Sequence, residues 1–343
     1  ADPVNPGSMT FNNTADTYTF TGTGIQGSGA MNLNPGAKVV LANGNNGFTG
    51  GVNIATGATL TLGTGAGNTG QLAGGSSVVN DGTLVYDRAA YSFNSQVISG
   101  TGTLVNNSGF TDMTGQNTYA GGSTVNGGTL RIRNANGAGT GGVTVNNGGG
   151  FEVGYFSNQS FSKSVTLNDG SSLTVANPTD SFILPENSGQ ITWTDPVTLG
   201  GTGGEIRTTA GDGIVPGVTI AGGVVGSGDL TLNAEGDTLL VVNSALSHSG
   251  NTSVVGGGRV ALEAGATFNA AQVTIGTSTT LDASNFNSGT LALSGQNING
   301  FDAGQITGNV PSETERRVAG VGRGVRGLRD GDRAQLRVGE GAD

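Results

Sequence analysis

The sequence predicts an all-β protein wound as a parallel β-helix of about 20–26 residues per coil, and three observations carry that prediction. The first is composition. Glycine supplies 66 of 343 residues while charged residues are only 11%, about half the usual ~25% of a soluble domain. Gly, Thr, Ser and Asn disfavour helix interiors, and with 8 Pro and no third-position Gly repeat the chain is not collagen. The second is an alternating motif, a Gly followed by a small polar residue and then apolar residues at every other position. The third is spacing: Leu60, Leu84, Leu104, Leu130 and Leu173 recur at intervals that fit one coil or two. Three short strands with their turns use about that length, and successive coils stack ~4.8 Å apart.

Taken in order, residues 1–9 read as a cloning remnant or an N-terminal lead-in, residues 10–310 as the β-helix, and residues 311–343 as an Arg/Gly-rich tail, linker or cap. Within the helix, Gly57-Ala58-Thr59-Leu60-Thr61-Leu62 puts Leu60 and Leu62 inward and Thr61 outward. The motif returns at Gly82–Tyr86, Gly102–Val105, Gly128–Ile132, Gly170–Val175, Gly228–Leu232 and Gly289–Leu293. Asn80-Asp81-Gly82 and Asn168-Asp169-Gly170 mark corners, because Gly, Asn and Asp tolerate the left-handed backbone region. A β-sandwich is the rival, but hairpin chains carry more aromatics than 5% and turn signals every 8–12 residues.

Charge and residue counts narrow the function. The net charge is −10, and seven of the 14 basic residues lie beyond residue 310, which leaves an acidic body. Nucleic-acid binding needs a basic stripe to displace phosphate counterions, so that class is excluded. Without Cys there is no disulfide framework and no thiolate metal site. No run of about 18 apolar residues spans a membrane as a helix. No charged and apolar leader opens the chain, so any secretion signal is expected to be removed or not included.

A longer unit runs from Gly100-Thr101-Gly102-Thr103-Leu104 through Gln116-Asn117-Thr118-Tyr119 to Gly121-Gly122-Ser123-Thr124-Val125-Asn126-Gly127-Gly128-Thr129-Leu130. Looser copies are Gly27–Leu62, with Phe48 in place of the Tyr, and Gly226–Val260, with Ser249-Gly250 in place of Gly-Gly. These copies resemble the autotransporter-associated β-strand repeat, also called the passenger-associated transport repeat. The resemblance covers about a third of the chain. It implies a right-handed β-helix that is secreted or displayed on a bacterial surface, and it carries over no catalytic residue. The chain departs from a full autotransporter at its end, where no alternating membrane-barrel strands appear.

Candidate sites are few. Polysaccharide lyases and hydrolases on β-helices need clustered carboxylates and a nearby base. Here no Asp-Asp or Glu-Glu pair occurs, and Lys38, Lys163, Arg88, Arg131, Arg133, Arg207 and Arg259 are the only bases of the body. No catalytic residue, cofactor or metal site is expected. The single His248 reads as a turn or surface residue. Trp193, flanked by Thr192 and Thr194, is a candidate for stacking on a sugar ring, with core packing as its alternative. Tyr155 and Phe156, with Phe151 and Phe161, form either a core plug or a contact patch. The expected function is an extracellular structural or adhesive rod whose partners are cell-surface glycans or copies of itself. A polysaccharide-cleaving enzyme and a passive stalk are the alternatives.

Overall fold

The computed structural model describes residues 2–44, 46–74, 76–154, 159–176, 190–209, 217–268, 273–276, 278–282, 285, 305–308, 325–330 and 333–338. All regular structure among the described residues is β. The chain divides into two compact units, Ala1–Gly154 and Tyr155–Asp343, each a parallel β-solenoid.

In the first unit, one face stacks Ser8–Phe11, Ala30–Leu33, Val52–Ile54, Val78–Asn80 and Ile98–Ser99. A second stacks Thr17–Phe20, Lys38–Leu41, Thr59–Leu62, Thr83–Asp87, Thr103–Ser108, Ser123–Val125 and Val143–Val145. A third begins at Ser92–Asn94 and continues through Phe110–Met113, Thr129–Ile132 and Gly150–Gly154. Alternation sorts the side chains as expected: Leu60 and Leu62 are buried, and Thr59 and Thr61 are partly exposed. Val39, Leu60, Leu84 and Leu104 form one inward rank, each within 1% of complete burial. Burying an aliphatic side chain this fully stabilises the fold by roughly 1.5–3 kcal/mol.

That rank does not continue as the Leu spacing suggests. Leu104 pairs with Ser123, whereas Leu130 pairs with Thr111 and Phe151 on the third face. The same short motif therefore serves two faces, and the 26-residue interval to Leu130 joins positions on different sheets. The true offset from Thr83 to Thr103 on one ladder is 20 residues.

In the second unit, Val165–Asn168, Val197–Gly200, Val224–Gly226, Ala245–Leu246 and Thr267–Phe268 make one face. Ser171–Ala176, Gly203–Thr209, Asp229–Ala234, Thr252–Val255 and Val273–Ile275 make another. The third runs from Gln159–Phe161 through Gln190–Trp193, Gly217–Ile220, Leu239–Val242, Arg259–Leu262 and Thr280–Asp282 to Gln305–Gly308. There the parallel pattern stops, because Arg333–Val338 joins Gln305–Gly308 antiparallel and Val325–Asp330 pairs antiparallel with Arg333–Val338. Coils here are uneven: Thr194 bonds back to Phe161 across 33 residues, and Asn251 to Asp229 across 22.

Corners explain much of the glycine. Gly109 (φ 67°) and Gly128 (φ 65°) enter successive strands of the third face of the first unit. A Cβ on Gly109 would lie 1.8 Å from the Arg88 carbonyl oxygen, and one on Gly128 would lie 2.0 Å from that of Gly109. Asp169 (φ 54°) and Gly170 (φ 76°) use the left-handed region as expected. Asp81 works differently. Its carboxylate accepts hydrogen bonds from the Thr101 backbone N–H (2.9 Å) and hydroxyl (3.0 Å) one coil on.

Asparagine and aromatic residues complete the corners. Asn46 Oδ1 accepts from Ile25 N–H (3.0 Å) and its Nδ2 donates to Gln71 O (3.2 Å). Asn117 repeats this with Ile98 N–H (2.8 Å) and Gly137 O (2.7 Å), so each side chain ties the coil before to the coil after. Two residues on, Phe48 and Tyr119 are buried, and the Tyr119 hydroxyl lies 2.6 Å from Ser123 Oγ. His248 occupies the equivalent place in the third copy, with Nε2 2.9 Å from Thr252 Oγ1. It is therefore buried and not a surface residue, because this corner points its fourth-from-strand side chain into the core. Outside, Asn107, Asn126 and Asn146 form a side-chain ladder at 3.0 and 3.1 Å.

Candidate functional site

The third face of the first unit gathers Asp112, Arg131, Arg133 and Glu152 on its outer side. In Phe110–Met113, Thr111 and Met113 point inward, and Thr111 Oγ1 donates to Asn106 Oδ1 at 2.5 Å. Phe110 and Asp112 consequently stand on the outer surface. Register then aligns Phe93, Asp112, Arg131 and Glu152 across four coils, with Phe110 two residues earlier opposite Thr129, which in turn pairs with Gly150. Tyr91 precedes the strand Ser92–Asn94 and stacks on Phe110, with centroids 5.5 Å apart at 24°.

Asp112 is wholly covered although it lies on the outside. Arg133 Nε donates to Oδ1 and Oδ2 at 2.8 Å, Arg133 Nη2 to Oδ2 at 2.6 Å, and the Tyr91 hydroxyl to Oδ2 at 2.6 Å. Arg131 Nη1 approaches the same oxygen at 3.7 Å. Arg131 itself donates from Nε to Glu152 Oε1 at 2.6 Å, and its guanidinium carbon lies 4.5 Å from the centre of the Phe110 ring. Charge-assisted bonds of this kind are short and strong, and the cation over the ring adds to them. Burial pushes the Glu152 carboxyl above its usual range, against the pull of Arg131. It also raises the Tyr91 phenol, with the bond to Asp112 acting in the same direction.

At the rim the site opens. Tyr91 is 50% exposed and Phe93 48%. They are two residues apart, so both rings project from the same face. Chemically the patch offers two aromatic surfaces beside a compensated set of two Arg and two carboxylates. Asp112 is wholly covered and both its oxygens accept hydrogen bonds, so it is closed to a substrate proton.

The structure places the sequence-derived candidates elsewhere. Trp193 is completely buried, stacked on Phe161 with centroids 5.6 Å apart at 7°, so it cannot stack on an external sugar. Alternation in Gln190–Trp193 turns Ile191 and Trp193 inward and leaves Thr192 outside. Tyr155 and Phe156 lie outside the described residues; Phe151 and Phe161 are core residues. Of the basic residues, Arg88 is buried and donates to Asn68 O (2.7 Å) and Ser92 Oγ (3.3 Å), holding the Gly-rich stretch 63–70 against the coil. Lys163 is buried too, and burial lowers its amine. Arg207 pairs with Glu235, and Arg259 with Asp282. The cluster itself escapes a local motif search, because Asp112, Arg131 or Arg133, and Glu152 meet only through steps of about one coil. The legible signal was Arg131 and Arg133 at alternate positions with an acid one coil to either side.

Among the described residues no group of His, Asp and Glu is placed to hold a metal ion, and no helix is long and apolar enough to cross a membrane. Fold and patch together define a β-solenoid repeat protein with an aromatic, ion-paired outer surface. Compared with known protein families, curated proteins and solved structures, the chain matches none.

Proposed function

We propose that the chain is a passenger-type adhesive β-solenoid that acts outside a bacterial cell and binds through the Tyr91–Phe93 patch of its first unit. The single observation that carries this reading is the pair of half-exposed rings set on a saturated ion-pair network. Exposed aromatics, here with Val97 also half exposed beside them, favour contact with a partner. The repeat copies support the passenger resemblance in a limited way, since Asn46 with Asn117, and Phe48 with Tyr119 and His248, do equivalent work at their corners.

A second reading, cleavage of a polysaccharide, is favoured by the raised Glu152 carboxyl beside Asp112 and two Arg. Incubating the chain with cell-surface polysaccharides and following polymer size by size-exclusion chromatography separates the two. Co-elution with intact polymer is expected. Shortened polymer would replace the adhesive reading with the enzymatic one, and a chain that neither binds nor shortens any polymer, and does not bind cells or itself, would leave a passive stalk.

A further inference from the structure

Resting on that adhesive reading, we infer that the ligand of the Tyr91–Phe93 patch is an uncharged glycan. The rings provide the first argument. A pyranose presents apolar C–H faces to flat aromatic surfaces, and Tyr91 and Phe93 offer two of them about 7 Å apart, side by side on one strand face. The Tyr91 ring is also set in advance. Phe110 supports its flat side and Asp112 holds its hydroxyl, so little side-chain freedom remains to be lost on binding.

Charge provides the second argument. Arg131 with Glu152 and Arg133 with Asp112 cancel in sign and are joined by hydrogen bonds at 2.6–2.8 Å. A carboxylated or sulfated sugar would have to break those bonds to reach an Arg, while standing beside Asp112 and Glu152. The protein's net charge of −10 opposes a polyanion further. A neutral sugar meets neither cost; Val97, also exposed, extends the apolar surface, and Ser95 is exposed to hydrogen-bond a sugar hydroxyl.

The test is affinity electrophoresis of the full chain through gels containing galactomannan, xyloglucan, soluble starch or laminarin, with alginate and hyaluronan as acidic counterparts. Retardation is expected in at least one neutral gel. Y91S and F93S should each weaken it by roughly tenfold. F93S removes only an exposed ring, whereas Y91S also takes a hydrogen bond from Asp112. F93S is therefore the deciding variant, and far-UV circular dichroism checks that both remain folded. Y18S removes a ring that is 51% exposed far along the sequence from the patch and should keep the retardation. Retardation only in acidic gels, or equal retardation of the double Y91S/F93S variant, overturns the proposal while leaving adhesion standing. No retardation in any gel also overturns it; the adhesive reading falls with it only if the chain then fails to bind cells or itself.

Discussion

Asp112 shows how one side chain can organise a surface. It is wholly covered, yet what covers it is Tyr91, Arg131 and Arg133 on the outside of the coil. Removing one partner of such a pair strands the other, so D112A should lower stability by about 3–5 kcal/mol, read as a reduced midpoint in urea unfolding. His248 makes a pH-dependent contribution. Burial lowers its pKa below the ordinary 6.5, with Asp229 and a backbone bond at Asn251 pulling the other way. The native state thus holds the ring neutral while the unfolded chain takes up the proton first. Stability is complete above about pH 6.5 and falls as pH drops from there through the native value. In H248Y, which restores the hydroxyl-bonding aromatic found at Tyr119, the loss of Tm between pH 7.5 and 5.5 should be smaller than in the parent. An equal loss in both would assign the pH response to other groups.

At the scale of the element, corners and ladders share the work. A strand of three or four residues cannot hold its place alone, and its register comes from bonds to the coils before and after it. Gly128 allows Thr129 N–H to reach Gly109 O at 2.8 Å, and Gly150 N–H to reach Gly128 O at 2.8 Å. G128A would place a methyl group against backbone at a positive φ, and should cost about 1–3 kcal/mol. Because Thr129–Ile132 carries Arg131 and leads to Arg133, the same change should weaken ligand binding. A G128A variant with unchanged thermal stability would show that the corner relaxes at no cost. The alternation that turns Leu60 and Leu62 inward was readable from residue types alone. The face to which each motif belongs was not: Gly102–Val105 and Gly128–Ile132 share a pattern, yet lie on different sheets. Trp193 was ambiguous for the same reason, since Thr on either side marks alternation without saying which set faces in.

For the whole molecule, the charge balance is the most general constraint. With net charge −10 and the Arg residues up to residue 310 in ion pairs or hydrogen bonds, the described residues of the body offer no basic stripe to phosphate. Duplex DNA should therefore show no mobility shift with the chain at about 0.15 M salt, a condition under which phosphate binders still associate. A salt-sensitive shift would place the Arg-rich residues beyond 310 in a role this reading omits.

Composition and period by themselves determined that the chain is all β, that it is wound in coils, with steps near 20 residues in the first unit, and which residues alternate within a strand. Those properties are local: glycine's freedom at corners and the two-residue period of a strand act on neighbours in the chain. Only the tertiary structure decided which coil positions meet. Asp112, Arg131, Arg133 and Glu152 become one network, with Tyr91 and Phe93 at its rim, through register between coils whose lengths vary. A shift of one residue in any of those strands would turn its outward side chains into the core. The site is a property of register, and register is set by the summed packing of every inward rank.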